Sequence, residues 1–365
     1  MKIKRPDQIL QTLRQHGYEA CYVGGCVRDT LLGREIHDWD IATSALPEQT
    51  MACFDHCVPT GIRHGTVTVL LEDVQAEVTT FRTDGEYLDG RHPEDVTFVR
   101  TLAEDLARRD FTVNAMAMDD RLHVTDLYGG REDLEKKCIR CVGEPDKRFR
   151  EDALRMLRAL RFSAQLGFEI EPETAQAIAR NGKLCDALSA ERVRDEIEKT
   201  ICSQRPQRAG DMARLGLLER FSPDMDADLD WLAQLPQETV IRWAALFRMW
   251  RQTDPALLRL SKKVTLDASE AGRIQPPTDQ MEWKRLIARH GNEKARIVAA
   301  LEGQPETVDR LLNSGMCLSL RQLAVTGSDL PHLTGPQIGE HLWRLLDHVL
   351  EHPEDNRKEI LLKLH

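Results

Sequence analysis

Residues 22–40 read Tyr-Val-Gly-Gly-Cys-Val-Arg-Asp-Thr-Leu-Leu-Gly-Arg-Glu-Ile-His-Asp-Trp-Asp, and this stretch decides the fold predicted for the first part of the chain. The apolar residues around Tyr22 predict a strand, and the run from Val27 to Leu32 predicts a helix. Gly24 and Gly25 separate the two elements. Residues without a side chain let the backbone approach an anion closely, and the first amides of the helix face that anion. The stretch therefore predicts a phosphate-binding turn.

The same stretch ends in two aspartates. In an extended segment residues i and i+2 share a face, so we expect Asp38 and Asp40 to project together while Trp39 points to the opposite face. Mg²⁺ prefers oxygen ligands and is commonly held by one or two carboxylates together with substrate phosphates. Either motif alone is more often an ordinary tight turn or a solvated acidic loop. Their combination favours a metal-assisted phosphoryl-transfer site.

Four further motifs follow downstream. They are Arg108-Arg109-Asp110-Phe111-Thr112-Val113-Asn114-Ala115; Asp126-Leu127-Tyr128-Gly129-Gly130 with Asp133-Leu134; Glu151-Asp152-Ala153-Leu154-Arg155 with Arg158, Arg161 and Phe162; and Glu191-Arg192-Val193-Arg194-Asp195-Glu196-Ile197-Glu198-Lys199. Together with the first stretch, and in this order, they resemble the class II template-independent nucleotidyltransferases. That family comprises the bacterial tRNA CCA-adding enzymes and their poly(A) polymerase relatives. The resemblance runs through most of the chain.

The resemblance implies an α+β fold, in which a polymerase-beta-like nucleotidyltransferase head with a small mixed sheet is followed by an all-helical neck, body and tail. The sequence pattern agrees, because β-prone runs end near residue 135 and helical periodicity begins near residue 147. In the head, the runs 64–71 and 75–81 predict a hairpin around Glu72 and Asp73. The predicted parts are a catalytic head at 1–140, a neck with the nucleotide-selecting motif at 141–205, a body at 206–295 and a tRNA-binding tail at 296–365.

For the first motif, the resemblance implies that Gly24, Gly25 and Arg28 contact the nucleotide. It also implies that Asp38 and Asp40 are catalytic and hold the cofactor Mg²⁺. In such a site the metal lowers the cost of bringing two polyanions together and stabilises the charge that develops during transfer. The predicted chemistry is attack by a primer 3′-hydroxyl on the α-phosphorus of a nucleoside triphosphate.

For the second motif, the resemblance implies that Arg109 contacts the nucleotide and that Asp110 lies near its ribose. The alternative is a helix terminus capped by Asn114, and Asn114 itself is equally well interpreted as structural. Glu77 lies on the second run of the predicted hairpin, where a third carboxylate would act as the catalytic base or share the metal. An exposed strand glutamate is also common, so this assignment is less specific than that of the aspartate pair.

Base selection is predicted on a helix that runs on from Glu151, with an apolar stripe inside and a polar side available to a ligand. Cytosine and adenine each present an amino donor next to a ring-nitrogen acceptor, whereas uracil and guanine reverse that order. A carboxylate beside a guanidinium therefore accepts C and A and leaves unpaired groups against U and G. The resemblance gives this role to Asp152 and Arg155, with Glu151 holding Arg155 by an i,i+4 ion pair. It adds Arg158 and Arg161 to the nucleotide-binding set.

The composition of the chain bears on which other classes of protein are compatible with the sequence. The formal charge is −10 over 365 residues, but nucleic-acid binding needs only a local basic stripe. The candidates for such a track are the arginines at 148, 150, 155, 158, 161, 192, 194, 205 and 208, and the alternative, above all after residue 200, is that they lie on solvated helix faces. No apolar run approaches the length that spans a bilayer, so no membrane partner is expected. Nine cysteines, an odd number without a secretion signal, favour reduced thiols in a cytoplasm, and the lone pair Cys138 and Cys141 does not predict a zinc site.

The function that these motifs favour is addition of C, C and A to the 3′ end of tRNA from CTP and ATP, with the acceptor stem as the bound partner. The alternatives are an A-adding or CC-adding enzyme and a poly(A) polymerase. Residues 60–66 lack the Gly-Arg-Arg/Lys-Phe segment typical of the polymerases, and the loop from Glu86 to Arg91 is not shortened as in CC-adding members. We expect that loop to serve A addition more than C addition. A catalytically inactive RNA-binding protein would be expected to have lost Asp38 or Asp40, and this chain has both. A metal-dependent phosphohydrolase needs a His-Asp pair, and the nearest candidate, Asp347-His348, has the reverse order.

Overall fold

A computed structural model describes residues 5–71, 74–84, 96–221, 228–251 and 253–364. The chain divides into two compact units, one of Met1–Thr200 with Asp211–Arg220 and the other of Ile201–Gly210 with Phe221–His365. Among the described residues, no helix is long and apolar enough to cross a membrane.

The first unit is built on a seven-stranded sheet within the described residues, with strand order β3-β4-β5-β2-β1-β8-β9. Strands β2 and β5 are parallel and the other neighbours are antiparallel, so the sheet is mixed as predicted. Two short pairs, β6 with β7 and β10 with β11, complete the strands. The bounds are β1 Ala20–Val23, β2 Asp40–Thr43, β3 Cys57–Gly61, β4 Thr66–Leu71, β5 Val74–Thr80, β6 Arg82–Asp84, β7 Val96–Phe98, β8 Met116–Met118, β9 Val124–Asp126, β10 Cys138–Ile139 and β11 Glu169–Ile170.

Helices surround this sheet and make up the second unit. Their bounds are α1 Asp7–Gln15, α2 Gly25–Leu31, α3 Pro47–Ala52, α4 Leu102–Ala107, α5 Gly130–Glu135, α6 Pro145–Glu151, α7 Leu154–Leu166, α8 Pro172–Asn181, α9 Ala190–Ile201, α10 Arg208–Arg214, α11 Thr239–Met249, α12 Lys262–Arg273, α13 Gln280–His290, α14 Asn292–Leu301, α15 Glu306–Asn313, α16 Pro336–Glu351 and α17 Lys358–Leu361. The α+β class with a sheet in the head and helices after it is therefore confirmed. Among the described residues after β10, one short strand, β11, is present, and it pairs with β10.

Strand β1 lies inside the sheet, between β2 and β8, and all four of its residues are buried. This explains why it reads as a continuous apolar run rather than an alternating one. On one face Cys21 and Val23 join a core cluster that also contains Leu106 from α4. On the other face Tyr22 packs against Trp39, with ring centroids 4.8 Å apart. The strand, turn and helix predicted from the opening stretch are thus confirmed.

The predicted hairpin is also confirmed, because β4 and β5 pair antiparallel from Thr66 opposite Thr79 to Leu71 opposite Val74. Its turn residues Glu72 and Asp73 lie outside the described residues, as does the loop predicted from Glu86 to Arg91.

The helix predicted to run on from Glu151 is wrong at its first residues. Helix α6 ends at Glu151, Asp152 is extended with φ −147° and ψ 106°, and α7 begins at Leu154. The cause is local, because the Asp152 carboxylate accepts a hydrogen bond from the backbone N–H of Leu154 at 3.0 Å. An aspartate that bonds two residues ahead offers the backbone a turn in place of a helix.

The polar side predicted for this helix is not free either. Arg155 and Arg161 in α7 are buried, and so is Arg148 in α6. Each guanidinium tolerates burial because it is paired with an acid, Glu151 for Arg148 and Arg155 and Glu196 for Arg161. The predicted basic surface track is therefore wrong for these three arginines, which stabilise the interior instead of presenting charge to a nucleic acid.

Candidate active site

The turn between β1 and α2 brings three predicted site residues together. Gly24 has φ 74° and ψ −135°, a conformation that residues with a side chain rarely adopt. A Cβ atom placed on Gly24 would lie 3.0 Å from Arg109 Nη1 and 3.6 Å from Asp40 Oδ2. Gly25 begins α2, and a Cβ there would lie 3.5 Å from Arg28 Nη2. The glycine turn, an aspartate of the first motif and an arginine of the second therefore meet at one corner of the sheet.

Asp40 is the first residue of β2, and the parallel register places it directly opposite Glu77 on β5. Directly opposed residues of neighbouring strands share a face, so the two carboxylates lie on the same side of the sheet. Trp39 is buried on the other side, as the alternation predicted, while Asp38 and Glu77 are exposed. The strand register therefore brings Asp40 and Glu77, the proposed third carboxylate, beside each other.

The electrostatics of Asp40 fit a cation site. Burial raises the pKa of the Asp40 carboxyl, the charge of Glu77 raises it further, Arg109 lowers it and Asp38 raises it, with a result of about 6. Carboxylates that raise one another's pKa are stabilised together when a cation binds between them. Among the described residues no three His, Cys, Asp or Glu side chains form a metal cage. A set of one or two carboxylates open to substrate phosphates is the arrangement that suits Mg²⁺.

Arg109 is held at this corner by a carboxylate that the motifs did not reveal. Its Nη2 atom donates to Asp105 Oδ2 at 3.0 Å, and Asp105 is only 1% exposed. The Nε atom of Arg109 is buried and finds no acceptor among the described residues. The guanidinium, whose Nη1 atom lies next to Gly24, therefore keeps donor capacity.

Asp110 and Arg28 take part in one internal hydrogen-bond network. Asp110 accepts from Arg158 Nε at 2.7 Å and from Asn114 Nδ2 at 3.3 Å. Asn114 in turn accepts from Arg28 Nη1 at 2.7 Å, and Arg28 also donates to Asp29 at 3.0 and 2.8 Å. Burial alone would raise the pKa of the Asp110 carboxyl, but Arg158 and Asn114 lower it to about 2. The alternative interpretation of Asn114 as structural agrees with this network.

Phe162 is the apolar partner of the same network. The guanidinium carbons of Arg28 and Arg158 lie 5.2 Å from the centre of its ring, and that of Arg161 lies 4.0 Å away. Arg161 also donates to the buried Glu196 at 2.5 Å. Cations over an aromatic face are attracted by its quadrupole. The predicted nucleotide-binding residues Arg158 and Arg161 are therefore ordered by Phe162, whose role the sequence did not indicate.

The predicted ion pair between Glu151 and Arg155 is confirmed, with Arg155 Nη1 2.6 Å from Glu151 Oε2. Arg155 also donates to the carbonyl of Arg148 at 3.0 Å and to that of Arg108 at 3.2 Å. Asp152 is bound by Arg192 of the fifth motif, at 2.7 Å. The structure thus gives Asp152 and Arg155 separate partners that fix them at the break between α6 and α7.

Comparison with known proteins identifies the family. A family model described as the poly A polymerase head domain matches residues 20–140, and one described as a probable RNA and SrmB-binding site of polymerase A matches residues 167–229. A curated CCA-adding enzyme from Geobacillus stearothermophilus is 41% identical over 93% of this chain and 90% of its own length. The chain belongs to the CCA-adding enzyme family. Another member of the family, from Enterococcus faecalis, is 37% identical over 99% of this chain and 95% of its own length.

A solved structure of the family supports the same conclusion from the fold. The crystal structure of the Bacillus stearothermophilus CCA-adding enzyme in complex with CTP superposes with a TM-score of 0.83 at 37% sequence identity. The match covers 98% of this chain and 96% of that one. The order of motifs that suggested the CCA-adding enzymes and poly(A) polymerases in the sequence is therefore explained by membership of the CCA-adding family.

Proposed function

We propose that this protein is a tRNA nucleotidyltransferase that adds C, C and A to the 3′ ends of tRNA from CTP and ATP without a nucleic-acid template. The observation that carries the proposal is the 41% identity to a CCA-adding enzyme over nearly the full length of both chains. The CTP complex of the similar solved enzyme supports CTP as one substrate. The corner formed by Gly24, Asp40 and Arg109 supports a triphosphate site in the head.

In the proposed reaction the 3′-hydroxyl of tRNA attacks the α-phosphorus of the bound nucleotide and pyrophosphate leaves. Gly24 lets the backbone approach the triphosphate, and Arg109 donates to its oxygens from the same corner. Asp38 and Asp40 would hold Mg²⁺, which when bound neutralises phosphate charge and stabilises the charge developing in transfer. Glu77, opposite Asp40, is the third carboxylate and is proposed to accept the hydroxyl proton.

Base selection is proposed to rest on Asp152 and Arg155. The carboxylate would accept from the amino group of C or A, and the guanidinium would donate to the adjacent ring nitrogen. Glu151 and Arg192 support this role, because each fixes one member of the pair through an ion pair of 2.6 or 2.7 Å. Each oxygen of Asp152 has a second lone pair for a base. Selection then requires no template, since U and G leave buried groups unpaired.

Replacement of Arg155 by alanine is expected to slow correct addition and to weaken the preference for CTP and ATP over UTP and GTP. An unpaired buried group costs about 1–3 kcal/mol, so the preference should fall by roughly tenfold or more. The measurement is kcat/KM for each of the four nucleotides on the same tRNA. Arg150, an exposed arginine in α6, provides the matched control as Arg150→Ala, which should leave the ratios unchanged. If the Arg155 variant is slow with all four nucleotides and the ratios of their kcat/KM values are unchanged, Arg155 instead has a structural role, holding α6 and the Arg108 carbonyl in place.

The proposal includes the domain division, the compartment and the extent of nucleotide addition. The division into head 1–140, neck 141–205, body 206–295 and tail 296–365 is supported by the motif order. A cytoplasmic location is supported by the tRNA substrate and the odd number of nine cysteines. The preference for full CCA addition over A-only or CC-only addition depends on the loop from Glu86 to Arg91, which lies outside the described residues.

The proposed function is tested by incubating the protein with Mg²⁺, CTP, ATP and a transcript of tRNA that lacks CCA. Incorporation of both nucleotides with stoichiometric release of pyrophosphate is the expected result. Undiminished incorporation with no added metal and a chelator present would contradict the metal assignment. Failure to use any nucleotide with any tRNA would overturn the proposal itself.

A further inference from the structure

Helix α4 carries a buried acid that belongs to none of the motifs. Asp105 is 1% exposed, and its carboxylate accepts hydrogen bonds from both arginines of the second motif. Arg109 Nη2 lies 3.0 Å from Oδ2, while Arg108 Nε and Nη2 lie 3.0 and 2.9 Å from Oδ1. The i,i+3 and i,i+4 spacings place both guanidinium groups over the carboxylate. Asp105 therefore forms a charged clamp on the segment that carries Arg109.

The balance of charge makes this clamp strong. Burial raises the pKa of the Asp105 carboxyl, but the charges of Arg109 and Arg108 and their hydrogen bonds lower it below its ordinary value. The acid is thus ionised at neutral pH, where hydrogen bonds between charged groups are roughly twice as strong as those between neutral groups. A free arginine side chain, by contrast, loses rotamer entropy on being ordered. Asp105 offsets that cost before a nucleotide arrives.

The clamp also determines where the other end of Arg109 lies. The guanidinium is planar, so fixing Nη2 on Asp105 fixes Nη1 at the corner beside Gly24 and Asp40. An arginine released from Asp105 would retain several rotatable bonds and would sample positions away from that corner. The close approach to Gly24 therefore depends on an acid that does not itself line the corner.

Asp105 reaches one further element. Its Oδ1 atom accepts from the backbone N–H of Arg82, the first residue of β6, at 3.4 Å. The Arg82 side chain donates to the carbonyl of His64, which precedes β4. A single carboxylate thus connects the second motif to the start of β6 and, through Arg82, to the segment that precedes β4.

We propose that Asp105 is a positioning residue for nucleotide binding, which acts by holding the Arg109 guanidinium at the corner beside Gly24 and Asp40. The inference rests on the proposed role of Arg109 in contacting the nucleotide. It adds a residue to the site that acts through Arg109 and not through contact with the substrate.

The test is a double-mutant cycle on the full-length protein, read out as the dissociation constant of CTP. Asp105→Asn keeps the size of the side chain and removes its charge. We expect it to weaken CTP binding about tenfold, because one charged hydrogen bond is lost, and to lower kcat by a smaller factor. Arg109→Ala should weaken binding at least as much, and the double variant should be no weaker than Arg109→Ala alone. Asp105→Glu, which restores the charge, should recover part of the affinity.

Asp133→Asn is the matched control. Asp133 is also buried, and it accepts from Thr112 at 2.7 Å and Arg140 at 3.1 Å, but not from Arg109. We expect this variant to lower the melting temperature and to leave CTP binding within about twofold of wild type, because stability and positioning are separate effects. Additive losses for Asp105 and Arg109, or unchanged CTP binding in Asp105→Asn and Asp105→Ala, would overturn the inference. Because CTP binding is measured without tRNA, these outcomes are distinct from a failure of CCA addition.

Discussion

Replacement of Asp40 by alanine is expected to abolish transfer of every nucleotide while leaving tRNA binding nearly unchanged. Asp40 lies at the corner with Gly24 and Arg109, and its carboxyl is the one whose pKa burial, together with the neighbouring acids, raises to about 6. Loss of a group that stabilises charge in the transition state lowers the rate of transfer roughly 10²–10³-fold. Loss of a metal ligand should lower it by the larger of these factors or more. Binding of tRNA should persist, because the proposed role of Asp40 is to hold metal rather than RNA.

The measurement pairs single-turnover transfer of CTP and ATP with the dissociation constant for tRNA. Asp38→Ala should behave in the same way. Glu48→Ala, which removes an exposed acid from α3 in the same head, controls for the loss of one negative charge and should transfer at the wild-type rate. Near-normal turnover in Asp40→Ala would show that the active site lies elsewhere.

A single added methyl group at Gly24 is expected to have the second largest effect. The positive φ of 74° strains any residue with a Cβ, and that Cβ would lie 3.0 Å from Arg109 Nη1. The backbone strain costs on the order of 1–3 kcal/mol. Displacement of Arg109 by about 1 Å from the triphosphate adds a loss of roughly a hundredfold in transfer. Gly24→Ala should therefore lower kcat/KM for CTP and ATP alike by about that factor or more.

The variant Gly143→Ala separates the effect of backbone strain from the effect of a Cβ atom that contacts Arg109. Gly143 has a similar φ of 73°, but a Cβ there meets nothing within 4 Å. This control should lose thermal stability and keep its kcat/KM for both nucleotides. If the two variants lose stability equally and both retain activity, the approach of Arg109 to the turn has no part in catalysis.

The sequence predicted those parts of the fold that depend on local pattern. The strand before Gly24, the helix after it and the hairpin of β4 and β5 all follow from apolar periodicity and glycine placement, and the structure confirms them. The Glu151–Arg155 ion pair was predictable for the same reason, because its partners are four residues apart.

The parts that the sequence could not predict depend on partners distant along the chain. Arg155 is buried because it meets the carbonyl of Arg108, 47 positions away, and Arg161 because it meets Glu196, 35 positions away. Periodicity alone placed Arg155 on the polar side of the helix and Arg161 nearer the edge of that side. The spacing of Asp105 to Arg108 and Arg109 was visible, but only the folded chain shows that Arg109 then reaches Gly24.

CCA addition is tested most directly with three substrates. They are tRNA that lacks CCA, tRNA that ends in the first C and tRNA that ends in CC. Each is incubated with CTP and ATP, and the 3′ ends are sequenced. If one nucleotide site adds both C and A, and addition ends after the final A, all three tRNAs should finish at CCA and grow no further. Long A tails would contradict the account and indicate a poly(A) polymerase. Extension of only the tRNA ending in CC, without use of CTP, would make this an A-adding enzyme, and arrest at CC would make it a CC-adding one.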